Sequence, residues 1–213
     1  MKIEVIVPVR PGGCDKYPLV YPGVDTYVVE CADANLSRVW RDSVMASDAD
    51  IVVFKHDDLW VRDPLGYLTQ VAGLIAVGVI NVVGVAGTRM YAPMRETAWW
   101  RQGDRTTLGL VHHQVVNQLE YPSFFGPPGP AVVVDGCIIA VRTRSMARDL
   151  WDVSFKNHFY DVAFCVNQEL LHPNTTRVII SDIKHDSLGM LSPAWYESSA
   201  RYIKSHRSVN LCA

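Results

Sequence analysis

Three short runs of apolar, mostly β-branched residues place the strongest constraint on the fold of this chain. They are Ile3–Val9, Ile51–Lys55 and Val82–Val85, and their apolar residues are continuous rather than alternating. Such runs are typical of strands buried on both faces of a parallel sheet. A helix that Asp33 can cap and a second helix after Pro64 separate the three runs. The alternation of strand, helix and strand predicts an α/β fold with a doubly wound, mostly parallel central sheet flanked by helices.

The second half of the chain has a different pattern. Residues 89–130 are rich in Arg, Trp, Gly and Pro and predict hairpins and loops over the sheet. Two short apolar runs then flank Asp135-Gly136, and a helix is predicted over Tyr160–Leu171. A last strand is predicted over Arg177–Ser181, with His185 following it. This change of composition near residue 89 indicates a change of role within one domain rather than a domain boundary.

Length and composition exclude several classes of protein. The 213 residues suit one well-buried domain, and 49% hydrophobic with 20% charged residues argues against disorder. A net charge of −2 gives no global attraction to nucleic acid or to an anionic membrane. The five cysteines include no CxxC pair, which excludes a zinc ribbon and suggests reduced thiols in the cytoplasm. The start MKIEVIVPVR lacks the apolar core of a signal peptide, so a cytoplasmic protein is expected.

The segment from Val71 to Thr88 is the one stretch with the apolar character of a membrane span. Four glycines and Asn81 interrupt it, and neither flank carries an aromatic belt. We interpret it as a helix end, a turn at Val79–Asn81 and a buried strand. No membrane association is expected.

The sequence FKHDDLW, residues 54–60, places three polar groups directly after an apolar strand. Ligands of open parallel sheets bind at the carboxyl ends of the strands. Alternate residues of an extended chain face the same side, so His56 and Asp58 would face one site while Asp57 points away. Mg²⁺ or Mn²⁺ would suit Asp58, and Mn²⁺ also accepts imidazole. A solvated loop with a helix cap remains the alternative.

Two further polar groups are candidates for the same site. Asp161 begins the predicted helix, where the helix dipole would keep a carboxylate ionised and able to act as a general base. His185 lies in a polar segment past a strand and is a candidate metal ligand. The alternatives are a simple helix N-cap for Asp161 and a structural role for His185.

These segments, in this order, resemble the GT-A type nucleotide-sugar glycosyltransferases. The likeness is to the family-2-like domain of the streptomycin-biosynthesis protein StrF and its relatives, and it spans nearly the whole chain. The segments that carry it are IEVIVPV at 3–9, FKHDDLW at 54–60, GVAGT at 84–88, VVVDGCIIAVR at 132–142, FYDVAF at 159–164 and IKHDSLG at 183–189. The resemblance implies a single GT-A domain over residues 1–213 that transfers a sugar from a nucleotide-sugar donor to an acceptor hydroxyl. Residues 1–88 would form the nucleotide-sugar-binding half and residues 89–213 the acceptor and catalytic half.

The resemblance also implies roles for individual residues. His56-Asp57-Asp58 stands in the place of the DxD motif, although His56 replaces its usual first acid. Asp58, His56 and His185 would then bind Mn²⁺ or Mg²⁺ at the donor diphosphate. Asp161 would deprotonate the acceptor in an inverting displacement, with Ala163 where relatives often have a second acid. The donor, a UDP- or GDP-sugar, would contact the following residues: Pro8, Val9, Arg10, His56, Asp57, Asp135 and Gly136.

The arginine- and tryptophan-rich segment offers two more candidates. Trp99 and Trp100 would form a stacking platform for a sugar, with a role in core packing as the alternative. Four arginines could neutralise phosphate or could simply be solvated: Arg89, Arg95, Arg101 and Arg105.

Other functions remain open at this level. One is a non-catalytic nucleotide-sugar-binding module of the same fold. Another is a metal-dependent phosphohydrolase of the HD type, which we disfavour because that class places its His-Asp pair on helices. The acceptor is a saccharide or natural product or, alternatively, a hydroxymethylated base in DNA. The basic residues that could contact a DNA backbone are Arg142, Arg144, Arg148 and the tail Arg201–Arg207.

Overall fold

The structure, a computed structural model, describes residues 1–94, 97–103, 105–114, 119–187 and 191–213. Within these ranges there are four α-helices: α1 (Leu36–Ala46), α2 (Pro64–Ala76), α3 (Tyr160–Leu171) and α4 (Pro193–Ser205). The strands in the same ranges are β1 (Ile3–Val9), β2 (Val24–Glu30), β3 (Ile51–Lys55), β4 (Leu59–Val61), β5 (Val82–Gly84), β6 (Ala86–Thr88), β7 (Met90–Tyr91), β8 (Thr107–His113), β9 (Tyr121–Gly126), β10 (Gly129–Pro130), β11 (Val133–Val134), β12 (Ile138–Arg142), β13 (Thr176–Val178), β14 (Ile183–His185) and β15 (Leu211–Cys212).

A seven-stranded central sheet has the order β10-β13-β5-β12-β3-β1-β2. The pairs β1–β2, β1–β3 and β5–β13 are parallel, whereas β12 is antiparallel to both of its neighbours and β10 is antiparallel to β13. Five of the seven strands therefore run in one direction, as predicted for a mostly parallel sheet. Strand β12 from the second half of the chain lies between β3 and β5, so the strands of the first half are parallel in direction but not all adjacent.

Continuous apolar sequence explains why the central strands lie in the core. Every residue of β1 and β3 is buried. Trp40 of α1 stacks on Phe54 of β3 with ring centroids 4.6 Å apart, and meets Tyr160 of α3 edge-on at 4.8 Å. This contact fixes α1 and the start of α3 against the end of β3, where the polar triplet begins.

The amino end of α1 differs from the sequence expectation. Asn35, not Asp33, is the N-cap, and its side chain accepts a hydrogen bond from the Arg38 amide. Asp33 instead pairs with the Arg38 guanidinium at 2.8 Å.

A second sheet brings the end of the chain back to the polar triplet. Its order is β11-β6-β8-β14-β4, with β9 paired to β8 as a hairpin in the predicted loop-rich segment. Strand β14 pairs with β4 so that His185 lies opposite Leu59. The predicted strand Arg177–Ser181 is thus replaced by two shorter strands, β13 and β14. His185 ends the second of these rather than lying in a loop.

The apolar segment from Val71 to Thr88 is divided as its glycines predict. Helix α2 ends at Ala76, a turn with Gly78 in the left-handed region follows, and β5 begins at Val82. None of the helices in the described ranges has the length and apolar character that crossing a bilayer requires.

Candidate active site

A cleft of about 380 Å³ opens at the carboxyl ends of β1 and β3. This is the edge at which open α/β sheets bind ligands. The six residues predicted there from the first half of the chain all line it: Pro8, Val9, Arg10, His56, Asp57 and Asp58. Asp57 lines this cleft but does not join the cluster that His56 and Asp58 form with His185.

His56, Asp58 and His185 form a cluster suited to a divalent cation. One potential ligand atom from each lies within 4.8 Å of the others. Asp58 Oδ1 lies 3.2 Å from His185 Nε2, and this buried oxygen receives no well-formed hydrogen bond from the residues the structure describes. Buried carboxylate oxygens are normally paired, so an oxygen in this state between two imidazoles fits a metal ligand. A set of one carboxylate and two imidazoles suits Mn²⁺ better than Mg²⁺.

Neighbouring strands hold the cluster in place. Asp58 lies in the turn between β3 and β4, and β4 pairs with β14, whose last residue is His185. The Asp186 amide also donates to the Asp58 carbonyl at 3.1 Å. Main-chain pairing therefore sets the separation of Asp58 and His185.

The electrostatics of the cluster differ between its two histidines. Burial, reinforced by the nearby His185, lowers the pKa of His56 to about 4. Burial also acts to lower the pKa of His185, but the close Asp58 carboxylate, 3.2 Å away, outweighs it and raises that pKa. At neutral pH His56 is therefore an uncharged imidazole, which is the form that binds metals.

A second cavity, of about 180 Å³, contains the other predicted residues. Asp161, Asp135 and Gly136 line it, together with both Trp99 and Trp100. The cavity is completed by residues to which the sequence analysis gave no role, among them Trp195 of α4 and Tyr160. The two cavities share His56, Asn157 and His158 and are therefore adjacent. The polar segments of the two halves of the chain thus meet at one place.

Asp161 is held by two main-chain donors. Its Oδ2 accepts from the Gly136 amide and its Oδ1 from the Val162 amide, each at 2.9 Å. The N-cap of α3 is Phe159, in the left-handed region at φ 64°, so Asp161 lies in the first turn and is not the cap. The prediction that the helix start keeps Asp161 ionised is wrong, because burial and the neighbouring Asp135 raise its pKa to about 7.

Gly136 is required by the close packing around Asp161. A Cβ at this position would lie 2.3 Å from the Tyr160 hydroxyl oxygen and 3.0 Å from Asp161 Cβ. Any larger residue would therefore displace one of these side chains. The Asp135 carboxylate next to it accepts from the Cys137 amide at 2.8 Å.

A buried ion pair that the sequence analysis did not identify supports the polar triplet. Lys55 Nζ lies 2.8 Å from Asp15 Oδ1 and donates to the His56 carbonyl at 2.8 Å. The two side chains are only 0% and 4% exposed. Asp15 belongs to the loop before β2, and the Lys16 amide in the same loop donates to the Asp57 carbonyl. The pair therefore anchors this loop beneath the cleft.

Replacing Lys55 by Met is expected to lower the free energy of unfolding by about 3–5 kcal/mol, because the Asp15 carboxylate would stay buried without its partner. Chemical denaturation measures the loss. The double variant Lys55→Met/Asp15→Leu removes both charges and is expected to recover much of it. An unchanged unfolding midpoint in the single variant would contradict the role assigned to the pair.

Most of the predicted phosphate-binding arginines lie elsewhere. Arg101 and Arg105 are exposed, Arg89 is half-buried, and none of the three lines either cavity. Arg95 lies outside the described residues, as do Leu188 and Gly189 of the segment after His185. Arg142, one of the residues considered for DNA contact, is buried and donates to the Gly78 carbonyl at 2.9 Å. It caps the end of α2 and is not free to contact phosphate.

Comparisons with known proteins identify the fold. No protein-family model and no curated protein sequence matches the chain. Among solved structures, S. aureus TarS matches with a TM-score of 0.56 and 14% identity over 97% of this chain and 39% of that one. The fragment TarS 1–349 in complex with UDP-GlcNAc matches with a TM-score of 0.55 and 14% identity, over 96% of this chain and 66% of the fragment.

A197 from STIV matches with a TM-score of 0.51 and 14% identity over 86% of this chain and 83% of that protein. The chain thus spans well under half of full TarS but most of A197. At these identities the likeness concerns the fold alone. It confirms the predicted class, a single-domain α/β fold of the GT-A type.

Proposed function

We propose that the protein is a metal-dependent glycosyltransferase that moves a sugar from a nucleotide-sugar donor to an acceptor hydroxyl with inversion at the anomeric carbon. One observation carries the proposal: the cleft over the His56-Asp58-His185 cluster adjoins the cavity of the Asp161 carboxylate. Inverting transfer needs these two parts, a site that holds the leaving diphosphate and a base that faces the sugar from the other side.

The donor is proposed to lie in the first cleft. Its nucleoside would contact Pro8, Val9 and Arg10, and its diphosphate would lie over Asp57 and Asp58. TarS 1–349 has been solved with UDP and with UDP-GlcNAc, which favours a uridine diphosphate sugar over a GDP-sugar. The sugar would reach past His56 towards Asp135 and Gly136, which line the second cavity.

The metal is proposed to be Mn²⁺, or Mg²⁺, held by Asp58, His56 and His185. When bound, it would supply positive charge that stabilises the departing nucleoside diphosphate. The Asp58 oxygen described above is the observation that supports this assignment. The neutral state of His56 supports it further.

Asp161 is proposed to be the general base. Its carboxylate accepts the acceptor's hydroxyl proton while the acceptor oxygen bonds to the anomeric carbon and the bond to the diphosphate breaks. The two main-chain donors to Asp161 orient the carboxylate for this role. A pKa of about 7 matches a base to neutral pH and argues against a purely structural carboxylate.

The acceptor is proposed to enter through the second cavity. Trp99 and Trp100 line it, and Trp195 faces Trp100 with ring centroids 6.3 Å apart. Aromatic walls of this kind suit the apolar faces of sugar rings. A saccharide or natural-product hydroxyl fits this cavity. A hydroxymethylated DNA base is the less favoured acceptor, because Arg142 is buried.

Release of UDP tests the proposal directly. The protein is incubated with UDP-GlcNAc, other UDP-sugars and GDP-sugars, each with Mn²⁺ and a pool of saccharide acceptors, and free nucleoside diphosphate is measured. We expect release from one donor that requires both Mn²⁺ and an acceptor. Donor binding without release for any acceptor would favour the non-catalytic module. Release of inorganic phosphate instead would favour the phosphohydrolase.

A further inference from the structure

We propose that Tyr160 is a positioning residue of the metal site, whose hydroxyl holds the His56 ring in the tautomer that leaves Nδ1 free to bind a divalent cation. The inference rests on the metal site of the proposed function. It assigns a role to a residue that lies beside the proposed base and to which the sequence analysis gave none.

The hydrogen bonds of the Tyr160 hydroxyl carry the argument. Its oxygen lies 2.8 Å from His56 Nε2, and the hydroxyl donates to the Gly136 carbonyl at 3.4 Å. Because a carbonyl can only accept, the single hydroxyl proton has an acceptor there, and the oxygen is free to accept from His56 Nε2–H. A neutral imidazole carries one N–H, so a proton on Nε2 leaves the lone pair of Nδ1 available.

The opposite arrangement would disable His56 as a ligand. If the Tyr160 hydroxyl donated to Nε2, the imidazole proton would move to Nδ1, and both nitrogens would be occupied. Metal-binding histidines commonly donate their second N–H to a fixed acceptor, which sets the tautomer and the ring orientation. Tyr160 is in the position of such an acceptor for His56.

The packing around Tyr160 shows that its hydroxyl is fixed in place. The residue is 4% exposed, and Trp40 holds its ring edge-on at 4.8 Å. Gly136 leaves the space that the hydroxyl occupies, since a Cβ there would lie 2.3 Å from the oxygen. Phe159, in the left-handed region at φ 64°, turns the chain into α3 immediately before it. Strained backbone of this kind persists where the surroundings impose it.

This arrangement joins the two halves of the site. The first turn of α3 carries Tyr160, which would orient a metal ligand, and Asp161, the proposed base. Gly136 contacts both, through its carbonyl and its amide respectively. One main-chain unit thus fixes both groups relative to each other.

The test is the affinity for Mn²⁺ alone, measured by electron paramagnetic resonance on the full chain. Tyr160→Phe removes only the hydroxyl, and we expect it to weaken Mn²⁺ binding by about 10–100-fold. Tyr67→Phe is the matched control, because the Tyr67 hydroxyl is also buried and has no hydrogen-bond partner among the described residues. The control is expected to bind Mn²⁺ within about twofold of wild type, and thermal unfolding shows that both variants fold.

A second readout does not depend on metal. Nitrogen-15 NMR of the metal-free protein is expected to show His56 protonated on Nε2 in wild type and a changed tautomer population in Tyr160→Phe. Wild-type affinity in Tyr160→Phe, or a proton on Nδ1 in wild type, would overturn the inference while leaving the metal site intact. Wild-type protein that binds no Mn²⁺ would overturn the metal site, and the role of Tyr160 in it would fall at the same time.

Discussion

Replacing Asp161 by Asn is expected to lower kcat for sugar transfer by about 10²–10⁴-fold, the usual contribution of a general base. Asn keeps the size and shape of the side chain but cannot accept the acceptor's proton. Its NH2 group also replaces one of the two oxygens that accept main-chain N–H groups, so one of those hydrogen bonds is lost. Donor affinity is expected to stay near the wild-type value, because Asp161 lines the second cavity and not the donor cleft. Steady-state kinetics and UDP titrations measure the two quantities separately.

Asp149→Asn is the matched control for this variant. Asp149 is an exposed carboxylate that lines neither cavity, so its amide is expected to leave kcat unchanged. If Asp161→Asn transfers sugar at the wild-type rate, Asp161 is not the base. If Asp161→Asn instead loses both sugar transfer and donor binding, Asp161 shapes the site rather than acting as the base.

The pH dependence of wild-type activity follows from the same residue. Burial and Asp135 raise the pKa of Asp161 to about 7, so below this pH the group is protonated and cannot act as a base. We expect kcat/KM to rise about tenfold per pH unit below pH 7 and to level off above it. A rate that is flat or falls between pH 5 and 8 would contradict the assignment.

The same pKa affects stability in a defined direction. The folded protein holds the Asp161 proton up to about pH 7, whereas the unfolded chain releases it near 3.8. Folding therefore takes up a proton between these values, and the contribution of Asp161 to stability falls as the pH rises through this window. Asp161→Asn lacks this dependence, so its stability relative to wild type is expected to increase from pH 4 to pH 7 in urea titrations.

Replacing Asp58 by Asn is expected to weaken Mn²⁺ binding by at least about 100-fold, because it removes the one negative charge of the cluster. Loss of a residue that only supports a metal ligand already costs about 10–100-fold in affinity, so loss of a ligand itself should cost at least as much. Mn²⁺-dependent binding of UDP should be lost with it. Titration of Mn²⁺ followed by electron paramagnetic resonance gives the affinity. Asp182→Asn is the control, because Asp182 is an exposed acid on the loop before β14 and belongs to neither cavity.

The Mn²⁺ affinity of Asp58→Asn distinguishes a metal site from a group of charges that only interact with one another. If Asp58 only stabilises a charged His185 and the cluster binds no metal, Asp58→Asn lowers the pKa of His185 and has no effect on Mn²⁺ binding. Equal Mn²⁺ binding in Asp58→Asn and wild type would contradict the assignment of this cluster.

Several elements could be predicted from the sequence because local pattern determines them. β1, β3 and α3 begin and end at the predicted residues. For β1 and β3 a continuous apolar run stops at a polar residue, and for α3 an i, i+4 spacing is maintained throughout. Both Trp99 and Trp100 line the second cavity, but the sequence does not distinguish Trp99, which is buried in the core, from the partly exposed Trp100.

What could not be predicted depends on contacts distant in sequence. The insertion of β12 between β3 and β5, and the place of His185 at the end of β14, follow from strand pairing that no local pattern specifies. Lys55 ends an apolar strand, and its partner Asp15 lies 40 residues earlier. The raised pKa of Asp161 depends on burial against Asp135, which outweighs the helix start that the sequence displays.

The most direct measurement of the central claim is thermal unfolding of the protein with UDP and UDP-sugars, in the presence and absence of Mn²⁺. A ligand that binds only the folded state at a hundredfold excess over its Kd stabilises it by about 2.7 kcal/mol. We predict a rise in Tm for one nucleotide sugar that requires Mn²⁺ and disappears in Asp58→Asn. No rise with any nucleotide, with or without Mn²⁺, would contradict a nucleotide-sugar site in this fold.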